Sequence, residues 1–193
     1  MERRPLILGI GGTTRAGSSS ERALAISLHA AEKAGADTIM LAGPALELPM
    51  YAPERPERTE AAQTLVNAYR DCDGIIVSSA SYHGVLSGLL KNALDYTQDL
   101  AQDERVYFDG CAMGLISCGG GWQGAGTALS TLRSIAHTLR AWPTPFGATL
   151  NTSLPLFGAD GECIDDSVQA QLEMVARQVV KFARMRQAVT IGM

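Results

Sequence analysis

Three apolar runs that do not alternate with polar residues, Leu6–Ile10, Gly74–Ser78 and Ala112–Ser117, constrain this chain most. A strand wetted on one face reads apolar, polar, apolar. A run such as Gly-Ile-Ile-Val-Ser is instead buried on both faces, as in a parallel sheet with helices on either side. Each run leads into a polar, glycine-bearing turn and then into helical spacing. The helices expected are Ser20–Ala34, stopped by Gly35, then Glu60–Arg70, Leu89–Thr97, Thr127–Leu139 and Asp166–Met185. Asp37–Ala42 reads as a second strand, and Trp142–Leu150, with two prolines, holds a short fifth one. Gly43–Thr59 carries Pro44, Pro49, Pro53 and Pro56 and reads as an irregular connection. Gln98–Asp109 reads as a charged, mobile one. This alternation, with right-handed crossovers, predicts an α/β fold: a doubly wound, five-stranded parallel sheet in the order 2-1-3-4-5. At 193 residues the whole chain, 1–193, fits one domain.

In that order the chain reverses across the sheet between strands 1 and 3, and ligands bind outside the C-terminal strand ends at such a point. The loop leaving strand 1 is Gly11–Ser20, Gly-Gly-Thr-Thr-Arg-Ala-Gly-Ser-Ser-Ser. Its glycines let backbone approach an anion, the helix start that follows offers unpaired amides, and Thr13, Thr14, Ser18, Ser19 and Ser20 add hydroxyl donors. Arg15 is its one full charge. A nucleotide-triphosphatase loop is excluded, since Gly12 and Gly17 have the spacing but Ser18 stands where Lys is required. The dinucleotide fingerprint fails as well, because Gly9 and Gly11 would need Gly or Ala at position 14, which is Thr. What fits is a terminal phosphate monoester held by many neutral donors and one Arg. The second and third loops, Ser79–Gly88 and Cys118–Gly126, lie beside it in the same crevice.

Composition removes several classes. A net charge of −4 and a pI near 5.4 give no basic surface for nucleic acid or an anionic membrane. The five apolar positions after Met-Glu-Arg-Arg-Pro are too few for a signal peptide core, and no run reaches the length of a membrane span, so a cytoplasmic location is expected. Cys72, Cys111, Cys118 and Cys163 form no Cys-x-x-Cys pair and read as reduced and structural. His29, His83 and His137 have no second ligand at metal-binding spacing, so no metal is expected. A receiver-type regulatory domain needs clustered Asp at the end of the first strand, where Gly11–Thr14 has none.

Against this background the chain resembles the NAD(P)H-dependent FMN reductases of flavodoxin-like fold, a family of flavin, quinone, azo-dye and chromate reductases. Gly12-Thr13-Thr14-Arg15-Ala16-Gly17-Ser18-Ser19-Ser20 resembles that family's Gly-Ser-x-Arg-x-Gly-Ser-x-Asn. The run from Ala80 to Asp95, Ala-Ser-Tyr-His-Gly-Val-Leu-Ser-Gly-Leu-Leu-Lys-Asn-Ala-Leu-Asp, resembles Pro-Glu-Tyr-Asn-Gly-Ser-x-x-Gly-x-Leu-Lys-Asn-Ala-x-Asp. Ser117–Gly126 leading to Arg133 is similar to the third motif, a Ser, a glycine-rich turn and a helix bearing an Arg.

The resemblance implies that Thr13, Arg15, Gly17, Ser18 and Ser20 hold an FMN phosphate. It implies that Ala80, Ser81, Tyr82, His83 and Gly84 line the ribityl chain and the isoalloxazine edge, with Ser117, Gly119, Gly120 and Gly121 on the other side. Ala80, Ser81 and His83 depart from the family's Pro, Glu and Asn. Tyr82, Trp122 and Tyr96 are candidates to flank the ring, while Lys91, Asn92 and Asp95 fix the loop and helix or a subunit contact. Such a protein needs no catalytic residue of its own: NADPH or NADH delivers hydride to FMN, which passes it to a small-molecule acceptor, free flavin or a quinone. The family also implies a homodimer or homotetramer paired through Leu86–Phe108. Arg55, Arg58 and Arg105 are the basic side chains that could meet a 2′-phosphate. The competing class is a flavodoxin-type electron carrier, an FMN-binding module without NAD(P)H oxidase activity, which shields its flavin with aromatics and presents a strongly acidic face.

Overall fold

The three unalternating runs become the three central strands of one sheet. The computed structural model describes residues 3–191. Its strands are β1 (Leu6–Gly12), β2 (Asp37–Ala42), β3 (Gly74–Tyr82), β4 (Val85–Leu86), β5 (Ala112–Gly119), β6 (Trp142–Pro143) and β7 (Ala148–Asn151). Its helices are α1 (Ser19–Lys33), α2 (Glu60–Asp71), α3 (Gly88–Asp95), α4 (Trp122–Thr138) and α5 (Asp166–Ile191), with 3-10 turns at Gly43–Leu46 and Tyr96–Leu100. The sheet runs β2-β1-β3-β5, with β6 and β7 both on the far side of β5. Every pairing is parallel except that of β4 with β3. This is the expected flavodoxin-like order.

Alternate residues of the central strands serve two cores. Ile7, Ile76 and Ile116 pack under α1 and α5 with Leu24, Leu28, Val175 and Val179. Leu8, Ile10, Ile75, Val77, Met113 and Leu115 pack under α2, α3 and α4 with Leu65, Leu90 and Leu132. Each such side chain contributes about 1.5–3 kcal/mol by leaving water, so both layers are tied firmly to the strands that carry the loops. Two strand glycines bring α5 in close. A Cβ on Gly114 would lie 2.6 Å from Val175 Cγ1, and one on Gly74 2.7 Å from Val179 Cγ1. Ser18, Thr59 and Ser87 cap α1, α2 and α3 by accepting from the amides of Glu21, Ala62 and Leu90, at about 1 kcal/mol each.

The structure differs from the sequence reading in five places. β3 runs on to Tyr82 and turns back as β4, with Ser81 opposite Leu86 and Tyr82 opposite Val85. The two-residue tip is His83 (φ 54°) and Gly84 (φ 83°), both left-handed, which is the backbone of a type I′ turn. Second, α4 begins at Trp122 rather than Thr127, so Gly124 and Gly126 lie inside a helix and only the front of the glycine-rich segment is a turn. Third, the fifth strand is split: Pro143 ends β6, and Arg133 bridges the gap by donating to the carbonyls of Thr144 (3.1 Å) and Pro145 (3.0 Å). Arg133 is thereby a structural residue.

Fourth, the connection expected to be mobile is pinned. Phe108 is fully buried and meets Tyr69 edge-on at 5.3 Å, and Arg105 donates to the carbonyls of Tyr69, Arg70 and Cys72. Fifth, the proline-rich segment is anchored as well. Arg58 makes a paired contact with Asp99 (2.7 and 2.8 Å), and its guanidinium carbon lies 5.0 and 5.5 Å from the ring centroids of Tyr51 and Tyr96. Asn92 accepts from the Tyr51 amide and donates to the carbonyls of Leu48 and Pro49.

Candidate functional site

The C-terminal ends of β1, β3 and β5 open into a cavity of about 350 Å³. Loop 1 contributes Thr13, Thr14, Arg15 and Ser18–Ser20, the end of β3 contributes Ala80–Tyr82, and the end of β5 contributes Cys118, Gly119 and Gly120. A fourth segment enters from beyond β7: the Thr152 amide donates to the Gly119 carbonyl at 2.8 Å and its side of the chain closes the wall. The volume falls in the range of small-molecule sites and lies where an open parallel sheet places them.

Loop 1 is organised by its own hydrogen bonds, which decide what is left for a ligand. Ser18 Oγ caps α1 and lies 3.3 Å from Ser20 Oγ, and Glu21 reaches back to accept from the Gly17 amide at 2.9 Å. That is a capping box displaced by one residue. Thr13 Oγ1 accepts from the Arg15 amide at 3.2 Å, closing the turn before it. No bond within the described residues takes up the amides of Ser19 and Ser20, the hydroxyls of Thr14 and Ser19, or the Arg15 guanidinium. Two amides at a helix start, two hydroxyls and one exposed cation suit a dianionic phosphate. The residues present therefore fit the phosphate end of FMN.

The other end of the cavity is shaped by absences of side chain. A Cβ on Gly119 would sit 3.2 Å from both the Ala125 amide nitrogen and Ser81 Cβ, so a side chain there would press on α4 and on the end of β3. At Gly120 and Gly121 nothing lies within 4 Å of that position, which leaves an open face beside the cavity. Ser81 Oγ donates to the Gly124 carbonyl at 2.9 Å, tying the β3–β4 hairpin to α4. Tyr82 and Trp122, 53% and 58% exposed, stand free on the outside of these two segments. The lining carries no carboxylate and no imidazole, and burial pushes the Cys118 thiol up to about 12, so it is a neutral group at physiological pH. Such a surface binds and orients. It offers no nucleophile and no acid–base pair.

Of the residues proposed from sequence, Thr13, Arg15, Ser18, Ser20, Ala80, Ser81, Tyr82, Gly119 and Gly120 come together on this lining. The others lie outside it. Gly17 is on the solvent side of loop 1, His83 and Gly84 form the hairpin tip, Gly121 caps α4, and Ser117 is wholly buried in β5 with its Oγ unbonded. Thr14, Ser19, Cys118 and Thr152 line the cavity as well. Thr152 follows the last strand in a hydroxyl-bearing Asn-Thr-Ser run, the same signal that marked loop 1. Tyr96 is 3% exposed and donates to the Pro49 carbonyl at 2.8 Å, so it is core rather than a ring neighbour. Arg58 and Arg105 are committed to Asp99 and to backbone carbonyls, which leaves Arg55 as the exposed member of that trio.

The family described as NADPH-dependent FMN reductase matches residues 5–153. An NADPH azoreductase from Bacillus sp. (strain OY1-2) is 30% identical over 122 residues, 63% of this chain and 64% of that protein. An FMN-dependent NADPH-azoreductase from Staphylococcus saprophyticus subsp. saprophyticus is 30% identical over 130 residues, 63% of this chain and 62% of its own length. The match thus spans somewhat less than two thirds of these relatives. Among solved structures, a flavoenzyme NAD(P)H:(acceptor) oxidoreductase from Paracoccus denitrificans superposes with a TM-score of 0.75 at 17% identity, covering 94% of this chain and 98% of that one. That likeness shows the fold.

Proposed function

The chain belongs to the NADPH-dependent FMN reductase family, and on that premise we propose that it is an FMN-dependent oxidoreductase. It moves hydride from NADPH or NADH to a small acceptor such as free flavin, a quinone or an azo compound. One observation carries this reading: a single cavity joins an anion cradle at a helix start to an open glycine shelf, with no acid–base group between them. The chemistry that FMN supplies when bound is acceptance of hydride and its delivery onward.

The chain's own part is placement. Arg15, the amides of Ser19 and Ser20, and the hydroxyls of Thr14 and Ser19 bind the phosphate, and Thr13, Ser18 and Ser20 hold that loop in shape. Ala80, Ser81 and Tyr82 run along the ribityl chain and ring edge, with Cys118 and Thr152 closing the inner wall. Gly120 and Gly121, with nothing within 4 Å of where a Cβ would stand, leave a face beside the cavity open, where nicotinamide and acceptor would reach a bound flavin in turn. Tyr82 and Trp122 border that face, and of the three arginines weighed for a 2′-phosphate Arg55 is the exposed one.

The same reading takes the protein as cytoplasmic and as a homodimer or homotetramer paired through α3 and the 3-10 turn after it. Among the described residues no helix is long and apolar enough to cross a membrane. A groove of about 270 Å³ between α3 and α4, bordered by Leu94, Ile135 and Leu139, supports that choice of face. Phe108 packs into its own core and so drops out of the segment assigned to that face.

Purified protein assayed for NADPH and NADH oxidation, with and without FMN, against riboflavin, a benzoquinone and an azo dye tests the activity. FMN-dependent, saturable oxidation with at least one acceptor is expected. FMN binding without oxidation of either nucleotide would make the chain a carrier instead.

A further inference from the structure

At the opposite end of the sheet from the cavity, two cysteines 39 positions apart meet. Cys72 terminates α2, its amide bonded to the Ala68 carbonyl, and Cys111 leads into β5. Gly74 and Ala112, just beyond them, are register partners on adjacent parallel strands, which sets the starts of β3 and β5 side by side. Cys111 Sγ lies 3.7 Å from the Cys72 carbonyl oxygen. One nitrogen of Arg105, Nη1, donates both to that oxygen at 2.6 Å and to Cys111 Sγ at 3.1 Å. Its Nη2 is held by the carbonyls of Tyr69 and Arg70. A sulfur that only fills space needs no guanidinium fixed against it. We propose that Cys72 and Cys111 are a redox-active dithiol that a hydroperoxide closes to a disulfide.

The electrostatics divide the roles. The neighbouring Cys72 thiol, whose own hydrogen bond runs to the Tyr69 carbonyl at 3.5 Å, and then the Arg105 charge hold the Cys111 thiol below the usual thiol range, whereas the neighbouring Cys111 and burial push Cys72 up. Cys111 is the sulfur that attacks first. Its thiolate takes one oxygen of hydrogen peroxide: the S–O bond forms, the O–O bond breaks and hydroxide leaves, to be protonated to water. Cys72 Sγ then attacks Cys111 Sγ, forming S–S and breaking S–O, and its proton departs with the second water. Two thiols lose two electrons together and one peroxide becomes two waters, so nothing else is consumed. Arg105 is half-buried, which puts the pair one side chain from solvent. Cys118, wholly buried with a pKa near 12, and Cys163, which donates to the Asp165 carbonyl at 3.3 Å, have no such arrangement.

The test is peptide mapping of the intact reduced chain before and after limited hydrogen peroxide, under non-reducing conditions. Tryptic peptides 71–91 and 106–133 hold the pair. After peroxide they should appear as one cross-linked species, lighter than their sum by two hydrogens, with fragment spectra placing the bond on Cys111 rather than Cys118. Dithiothreitol should restore both. Cys72→Ser should instead leave a sulfenic acid on Cys111 that dimedone captures. Peroxide that leaves Cys72 and Cys111 as free thiols in the wild-type chain, or that oxidises Cys163 ahead of them, overturns the proposal. The wild-type map alone decides this, however the variant folds, and it needs no flavin and no turnover, so it stands or falls apart from the function proposed above.

Discussion

Arg15 owes its place in loop 1 to what it does not touch. Its guanidinium bonds to nothing among the described residues, while every side chain around it is engaged in shaping the turn or faces the cavity. Arg15→Ala should therefore leave the melting of the FMN-free protein unchanged. It removes a charge-assisted bond of about 1.5–3 kcal/mol from phosphate binding, which raises the FMN Kd roughly 10- to 100-fold. Fluorescence titration of FMN checks this, and riboflavin, which lacks the phosphate, should bind both proteins alike.

His83 makes a different argument at the same scale. The resemblance implies that His83, where the family has Asn, lies at the flavin edge, and the backbone puts it at the left-handed tip of a two-residue hairpin. Asn, Asp and His tolerate that region and β-branched residues do not. His83→Asn should be neutral or slightly stabilising in urea unfolding, and His83→Val should cost about 1–2 kcal/mol. A residue's chemistry was legible in the motif. Its φ was not, because the hairpin appears only once β3 has continued past Ser78 to pair with β4.

Among the elements, the proline-rich connection shows how tertiary contacts order a segment with little structure of its own. Nothing in Gly43–Thr59 repeats, yet Asn92 on α3 satisfies one amide and two carbonyls of it. Asn92→Ala strands those groups and should cost about 1–3 kcal/mol in denaturant unfolding. The Arg58–Asp99 contact anchors the other end, with side chains only 12% and 20% exposed. Hydrogen bonding and charge from Arg58 hold the Asp99 carboxyl below its usual value. A carboxyl whose folded-state pKa is lowered binds its proton more readily in the unfolded chain. Its stabilisation is thus present above about pH 4 and disappears as pH falls through the lowered value. Stability of the wild type relative to Arg58→Met should fall between pH 4 and the acid limit of folding and stay level from pH 5 to 7. Similarly, Gly114→Val drives a side chain into Val175 and should cost about 1–3 kcal/mol through overpacking.

At the scale of the whole molecule, strand order was readable because burial on two faces leaves a strong mark. β5 is buried at all eight positions and reads as a continuous apolar run. The divided fifth strand left a weak mark, since Pro143 and Pro145 interrupt it and its continuity depends on Arg133 from a neighbouring helix. The cavity was likewise visible as three loops, and its fourth wall at Thr152 was missed because the strand before it is only four residues long. All these segments converge at one end of the sheet, so under the proposed function cofactor, nicotinamide and acceptor would share a single site, whereas the cysteine pair at the other end stands apart from it. A net charge of −4 and an open glycine shelf favour exchange of small molecules at that site over docking of a protein redox partner. The most direct test is the visible spectrum of the purified protein, titrated with FMN and then with NADPH under anaerobic conditions. The account predicts flavin bands that shift on binding, saturate at one FMN per chain and bleach on NADPH addition. Flavin bands that neither shift on titration nor bleach with NADPH would contradict it.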